Sequence, residues 1–199
     1  MAAAASSPMS ETSLSYAERC ISNARSNASN LELCAYKLAV DEHYAKYFTI
    51  PFRPDVTDKH KEKAQTLVNN HVILLDEYIR DFKRYPEMEF NNIKHSNPLY
   101  EKYSIKICRQ FSEGHYNVYV ILPDDHPDVG KFYDEIEIET HFSLSFSRGN
   151  MFGIDFAHRN DFTLITSPGQ ITDETKVWTF EEVKAEGLAL IEKFYARAH

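Results

Sequence analysis

Along residues 58–84, Ala64, Leu67, Val68, His71, Leu74, Leu75, Tyr78, Ile79 and Phe82 recur at steps of three and four. That spacing gathers an apolar stripe on one side of a long helix. Thr57 or Asp58 supplies its cap. Tyr85-Pro86 ends it, because the residue before a proline is held away from helical backbone angles. Upstream, residues 13–48 read as helical. The better half is NLELCAYKLAVDEHYAKYF, where Leu31, Cys34, Leu38 and Val40 are expected to face inward. IPFRPDVT, with two prolines, is a connector. The small, polar residues 1–12 are expected to be a disordered tail.

From Pro86 onward the periodicity is mixed. EMEF is a plausible short strand, and Asn97-Pro98 is a helix-start pair. Tyr100, Tyr103, Ile107 and Phe111 then predict one face of a helix to about residue 111, stopped by Gly114. Val118 and Val120 alternate in NVYVILP. EIEIETHFSLSFS alternates more clearly. Ile136, Ile138, Phe142, Leu144 and Phe146 share one face, with Glu135, Glu137 and Glu139 on a solvated one. The turn Arg148-Gly149-Asn150, the segment MFGIDFA, the turn HRND and FTLI predict a three-stranded antiparallel meander. Thr179 and Glu182 form a capping box before Val183, Leu190, Ile191 and Phe194. Trp178 is placed where that last helix meets the sheet. The expected fold is therefore α+β: a helical N-terminal region, a mixed, mainly antiparallel sheet and a C-terminal helix. The expected division is 1–12 tail, 13–84 helical extension and 85–199 α+β domain.

Composition narrows the function. The 199 residues carry 22 basic and 30 acidic side chains, and the excess of acid lies in residues 85–199. A general phosphate-binding surface would show the opposite balance. Cys20, Cys34 and Cys108 match neither a disulfide framework nor a zinc site and read as thiols in a reducing compartment. No apolar run reaches membrane-span length and no signal peptide is apparent, which implies a cytoplasmic protein without a membrane partner. Asn27-Ala28-Ser29 fits a glycosylation sequon by chance. His71 reads as a hydrogen-bonded core histidine. Asp124, Asp125, His126 and Asp128 read as a solvated loop rather than a metal cluster. No metal or other cofactor is expected.

The order of elements in residues 85–165 resembles the N-terminal half of a ribosome-inactivating protein, the plant rRNA N-glycosylase family. YPEMEF is similar to the family's opening strand. LYEKYSIKICRQF is similar to its first helix, with Tyr100 and Tyr103 at aromatic positions and Ile105 and Arg109 following. VILP resembles the Leu-Pro after that helix, and KFYDEIEI the next strand. FSLSFSRGNMFGIDFAHRNDFTLI resembles the central hairpin, with Asn150, Phe152 and Phe156 on the family's Asn and aromatic positions.

The resemblance implies removal of one adenine from large-subunit rRNA, and with it inhibition of translation and a role in plant defence. The flipped base would be held between aromatic rings. Phe152 and Asn150 would form the stacking position, and Arg148 and Arg159 would contact phosphate. A glutamate and an arginine would stabilise the developing charges. The family's Glu-x-x-Arg helix has no counterpart. Glu182 and Glu186 lack an arginine three residues on, Glu192 and Arg197 are five apart, and Tyr195 sits in a helical context. The implied enzyme is therefore degenerate. The alternative is a non-catalytic module that binds a protein partner through the 58–84 helix.

Overall fold

The computed structural model describes residues 18–19, 21–26, 30–140 and 143–199. The expected tail, Cys20, the sequon and Phe142 lie outside the described residues. Residues 18–19 and 21–26 are helical. Helix α1 spans Leu31–Tyr47, α2 Asp58–Arg84 and α3 Phe180–Ala198. Five strands, β1 (Glu89–Ile93), β2 (Ser104–Arg109), β3 (Tyr116–Ile121), β4 (Phe146–Arg148) and β5 (Met151–Asp155), form one sheet in the order β1-β2-β3-β5-β4. Each neighbouring pair is antiparallel. The α+β class stands.

The helix ends follow their sequence signals. Thr57 accepts from the His60 amide and the His60 ring accepts from the Thr57 amide, a reciprocal cap for α2. Thr179 and Glu182 do the same for α3. The stripe on α2 is buried at Ala64, Val68, His71, Leu75, Tyr78, Ile79 and Phe82. On α3, Val183, Leu190, Ile191 and Phe194 lie over one face of the sheet, against Ile105, Ile107, Val118, Val120, Phe152 and Ile154. Gly187 permits that close approach. A Cβ there would sit 2.5 Å from Val118 Cγ2 and 2.9 Å from Ile105 Cδ1.

Three expected elements are corrected. The helix from 98 to 111 is only a 3-10 turn at Pro98–Tyr100 followed by strand β2. Tyr103, Ile107 and Phe111 fit a helical step, but Tyr103, Ile105 and Ile107 also alternate by two. Pairing with β1 and β3 on both sides, plus two β-branched residues, decides for strand. Of the long strand expected at 135–147, the described residues keep only the part in β4. Ile136 and Leu144 are buried as expected, but the carbonyls of Glu137 and Glu139 accept from Arg197 and Lys193 of α3 instead of from a neighbouring strand. The third meander strand, FTLI, is irregular. Phe162 and Leu164 leave the sheet and pack with Leu75 and Tyr78 of α2. Pairing of β5 with β3 takes the place of the expected meander.

A buried ionic cluster joins α2, the sheet and α3. Asp81 of α2 accepts from Arg109 (3.1 Å) and from the Tyr116 hydroxyl (2.7 Å), and its other oxygen accepts from the Phe180 amide (2.9 Å) at the start of α3. Arg109 also donates to the Tyr85 carbonyl at 2.9 Å and to the Tyr116 oxygen. Its guanidinium lies 4.7 Å from the Phe82 ring centre and 4.5 Å from that of Tyr116. Burial, first of all, pushes the Tyr116 hydroxyl far up, so it stays protonated and donates. The expected domain boundary at 84/85 runs through this cluster. Asp81→Ala should cost about 3–5 kcal/mol, because the arginine is left buried without its counter-charge. Urea unfolding at neutral pH checks this, and a loss under about 1 kcal/mol would contradict it.

Candidate binding surface

Phe152 is wholly buried, paired with Val120 and Ser147 across the sheet, its ring centre 5.2 Å from that of Phe194. No base can reach it without lifting α3. Asn150 is a hairpin corner. Its side chain donates to the Leu122 carbonyl at 3.0 Å and to Asp124 at 3.3 Å. Gly149, with φ +63°, completes the turn. Arg148 is exposed at the end of β4. Arg159 is exposed on a different turn, where it lines an open cleft of about 680 Å³ with Glu182, Glu186, Lys176 and Trp178.

This cleft brings together an arginine, three glutamates (Glu174, Glu182 and Glu186) and an aromatic ring, but away from Phe152. Its indole is already engaged. Lys176 Nζ is 3.7 Å from the Trp178 ring centre, and the Phe156 ring packs at 4.8 Å. The indole N–H donates to Asp161 at 2.7 Å. Glu182 is held by Thr179 and, at 2.8 Å, by Lys176. Glu192 meets His95 at 3.2 Å, whereas Arg197 meets Asp128 at 2.8 Å. Tyr195 stacks on His199 at 4.1 Å. These groups, which make no Glu-x-x-Arg pair, are dispersed among structural tasks.

The Asp124–Asp128 loop is not simply solvated, a further correction to the sequence reading. His126 and Asp128 are buried. His126 contacts the Phe194 carbonyl at 2.9 Å and accepts from the Asp128 amide at 3.1 Å. Asp128 binds Arg197 and Lys131. Among the described residues no group of His, Cys, Asp or Glu could hold a metal ion. His71 is the core histidine expected. It contacts the Thr166 carbonyl at 2.8 Å, and burial lowers its pKa, which keeps it neutral. Cys34 and Cys108 are free thiols pushed up by burial, which makes them poor nucleophiles.

The anomalous surface is α1, an element that carried no functional candidate in the sequence. Leu31, Cys34, Ala35 and Leu38 pack inward on Ala64, Leu67 and Val68 of α2. His60 ties the helices further, 2.7 Å from Glu42. A second apolar stripe runs along the opposite side at steps of three and four: Leu33, Tyr36, Val40, Tyr44 and Tyr47. Leu33, Tyr36, Tyr44 and Tyr47 are exposed by 43–53%. Val40, expected to face inward, belongs to this outer stripe by its spacing and is only half-buried. Beyond the helix Phe48, Ile50 and Phe52 are 81%, 78% and 93% exposed. Two opposed stripes leave α1 almost without amphipathic character. Its outer signal was present in the sequence, at 33, 36, 40, 44 and 47, beside the inner one.

A groove of about 250 Å³ lies beside the start of α1, between Asn30, Leu33, Cys34 and Lys37 on the helix and Leu164 and Ile165 on the facing loop. Ile165 is 66% exposed. On α2, Val72 and Ile73 are the exposed large apolar side chains, too few to make a comparable face. No helix among the described residues is long and apolar enough to cross a membrane. No family model, curated protein or solved structure matches the chain.

Phe152→Ala should behave as a core deletion, lowering stability by about 3–5 kcal/mol in urea unfolding. A near-neutral effect would mean that the ring is not packed under α3. The Asp128 latch makes a second prediction. Hydrogen bonds from Arg197, foremost, hold its carboxyl down to about 2. The unfolded chain binds a proton there at about 3.9. Its stabilisation is therefore present above that value and is lost as pH falls through about 2. Asp128→Asn should be less stable than wild type at pH 5, with the gap closing towards pH 2. A gap independent of pH would refute the assignment.

Proposed function

We propose that this chain is a non-catalytic protein-binding module that docks its partner through the outer stripe of α1 and the aromatic turn Tyr47–Phe52. One observation carries the reading: a helix already packed on one side presents a second continuous apolar stripe to solvent. Contiguous exposed apolar surface of this kind marks interaction sites. Three of the five stripe residues are aromatic, and tyrosine is enriched where protein interfaces concentrate their binding energy. The docking element is thus α1 rather than the 58–84 helix. The free thiols, Cys34 buried and Cys108 half-buried, fit a reducing, cytoplasmic setting.

The rRNA N-glycosylase reading, with the ribosome as partner, asks for an open stacking ring beside a carboxylate and an arginine. Burial of Phe152 and the engagement of Trp178 weigh against it. Aniline cleavage of large-subunit rRNA after incubation with the protein should yield no site-specific fragment. A fragment that survives in Tyr44→Asp would replace the binding-module reading by an enzymatic one.

The docking face has its own test. On chain dilute enough to be monomeric, Tyr44→Asp with Tyr47→Asp should cut bis-ANS fluorescence severalfold while changing stability by less than about 1 kcal/mol, as exposed positions do. Undiminished dye binding would place the adhesive surface elsewhere and end the proposal.

A further inference from the structure

The outer stripe is a palindrome. From Leu33 its steps are three, four, four and three, centred on Val40. A stripe with that spacing is complementary to itself when two helices run antiparallel, since a twofold contact sets residue i on j and j on i. We propose that the partner is a second copy of this chain, with the two α1 helices packed antiparallel about an axis at Val40. This rests on the docking reading given above and names its occupant. Leu33 then meets the partner's Tyr47, Tyr36 meets the partner's Tyr44, and Val40 meets its own counterpart.

Two further observations fit that pairing. Lys37 and Asp41 lie on one flank of the stripe, a single turn apart. In an antiparallel twofold pair like flanks face each other. Lys37 therefore faces the partner's Asp41, offset by about 3 Å along the axis, and the contact occurs twice. Phe48 follows directly at the end of the helix, 81% exposed and in a left-handed conformation at φ 56°. Antiparallel pairing carries it to the level of the partner's residue 32, beside the groove between Leu33, Lys37 and Ile165. Each copy thus offers a ring at one end of α1 and a recess at the other.

Sedimentation equilibrium on the full chain, with circular dichroism to confirm folding, tests the assignment. The wild type should weigh as a dimer. Tyr44→Asp should weaken the dimer by about a hundredfold, as loss of a central interface tyrosine does. Lys37→Glu and Asp41→Lys should each weaken it by about tenfold through like-charge contact. Mixed one to one, those two variants should recover a dimer of wild-type strength, because both contacts between positions 37 and 41 across the axis then join an acidic side chain to a basic one. A wild type that stays monomeric at high concentration overturns the proposal, as does failure of the charge-swapped pair to recover. A monomeric wild type whose bis-ANS signal still depends on Tyr44 and Tyr47 leaves the docking face standing for a different protein. Loss of that dependence removes the docking face itself.

Discussion

The carboxylate of Asp81 is the point on which the rest of the structure depends. A buried anion is costly unless every lone pair finds a donor. Here one oxygen takes Arg109 and Tyr116, and the other takes the Phe180 amide. That amide is one of the unpaired donors at the start of α3, where the helix dipole favours negative charge. A side chain of α2 therefore fixes where α3 begins. The position of α3 fixes which face of the sheet is covered. Arg109 and Tyr116 are opposed on β2 and β3, so the same carboxylate also anchors the sheet's end. The helical N-terminal region and the sheet are joined at their most polar buried point rather than by apolar packing alone.

From that anchor, cover follows in layers. Helix α3 spans the sheet and fills one face with Phe180, Val183, Leu190, Ile191 and Phe194. Its far end is held by Arg197 on Asp128 and by His126 on the Phe194 carbonyl. The chain at Glu137 and Glu139 trades strand hydrogen bonds for bonds from Arg197 and Lys193 to its carbonyls. Helix α3 is thus pinned at both ends by charge and along its length by apolar contact. Glu181, Glu182, Glu192 and Arg197 are each engaged by a separate partner: Tyr85, the Thr179 cap, His95 and Asp128.

Much of this was legible in the sequence, and the rest was not for identifiable reasons. The spans of α2 and α3 follow from three-and-four spacing together with reciprocal caps, signals that are local. His71 was read correctly from the stripe in which it sits, and Trp178 from its place just before the last helix. Residues 103–111 satisfied two periods at once, and only the strands on either side decided between them. FTLI alternates like a strand, yet the open surface of α2 captured Phe162 and Leu164. Asp81 could not be singled out, because its partners lie 28, 35 and 99 residues away. Asn150 falls in the expected turn 148–150 and Phe152 in the alternating segment MFGIDFA, a local pattern that fits a hairpin corner and a core ring. Their hydrogen bonds and burial match that reading.

The outer stripe of α1 is explained by what the inner stripe lacks. Cys34, Ala35, Ala39 and Ala64 are small, so α1 and α2 approach closely but remove little apolar area from water. Capping at Asn30 and the His60–Glu42 contact add hydrogen bonds, not burial. A helix of 17 residues with evenly spread apolar side chains therefore gains only part of its stabilisation from its own chain. Covering the outer stripe supplies the missing area. Any partner that does so stabilises α1 by mass action, to an extent set by its concentration relative to its dissociation constant. Docking and the order of α1 are then one equilibrium, and the exposed tyrosines are the side of the helix that this equilibrium buries.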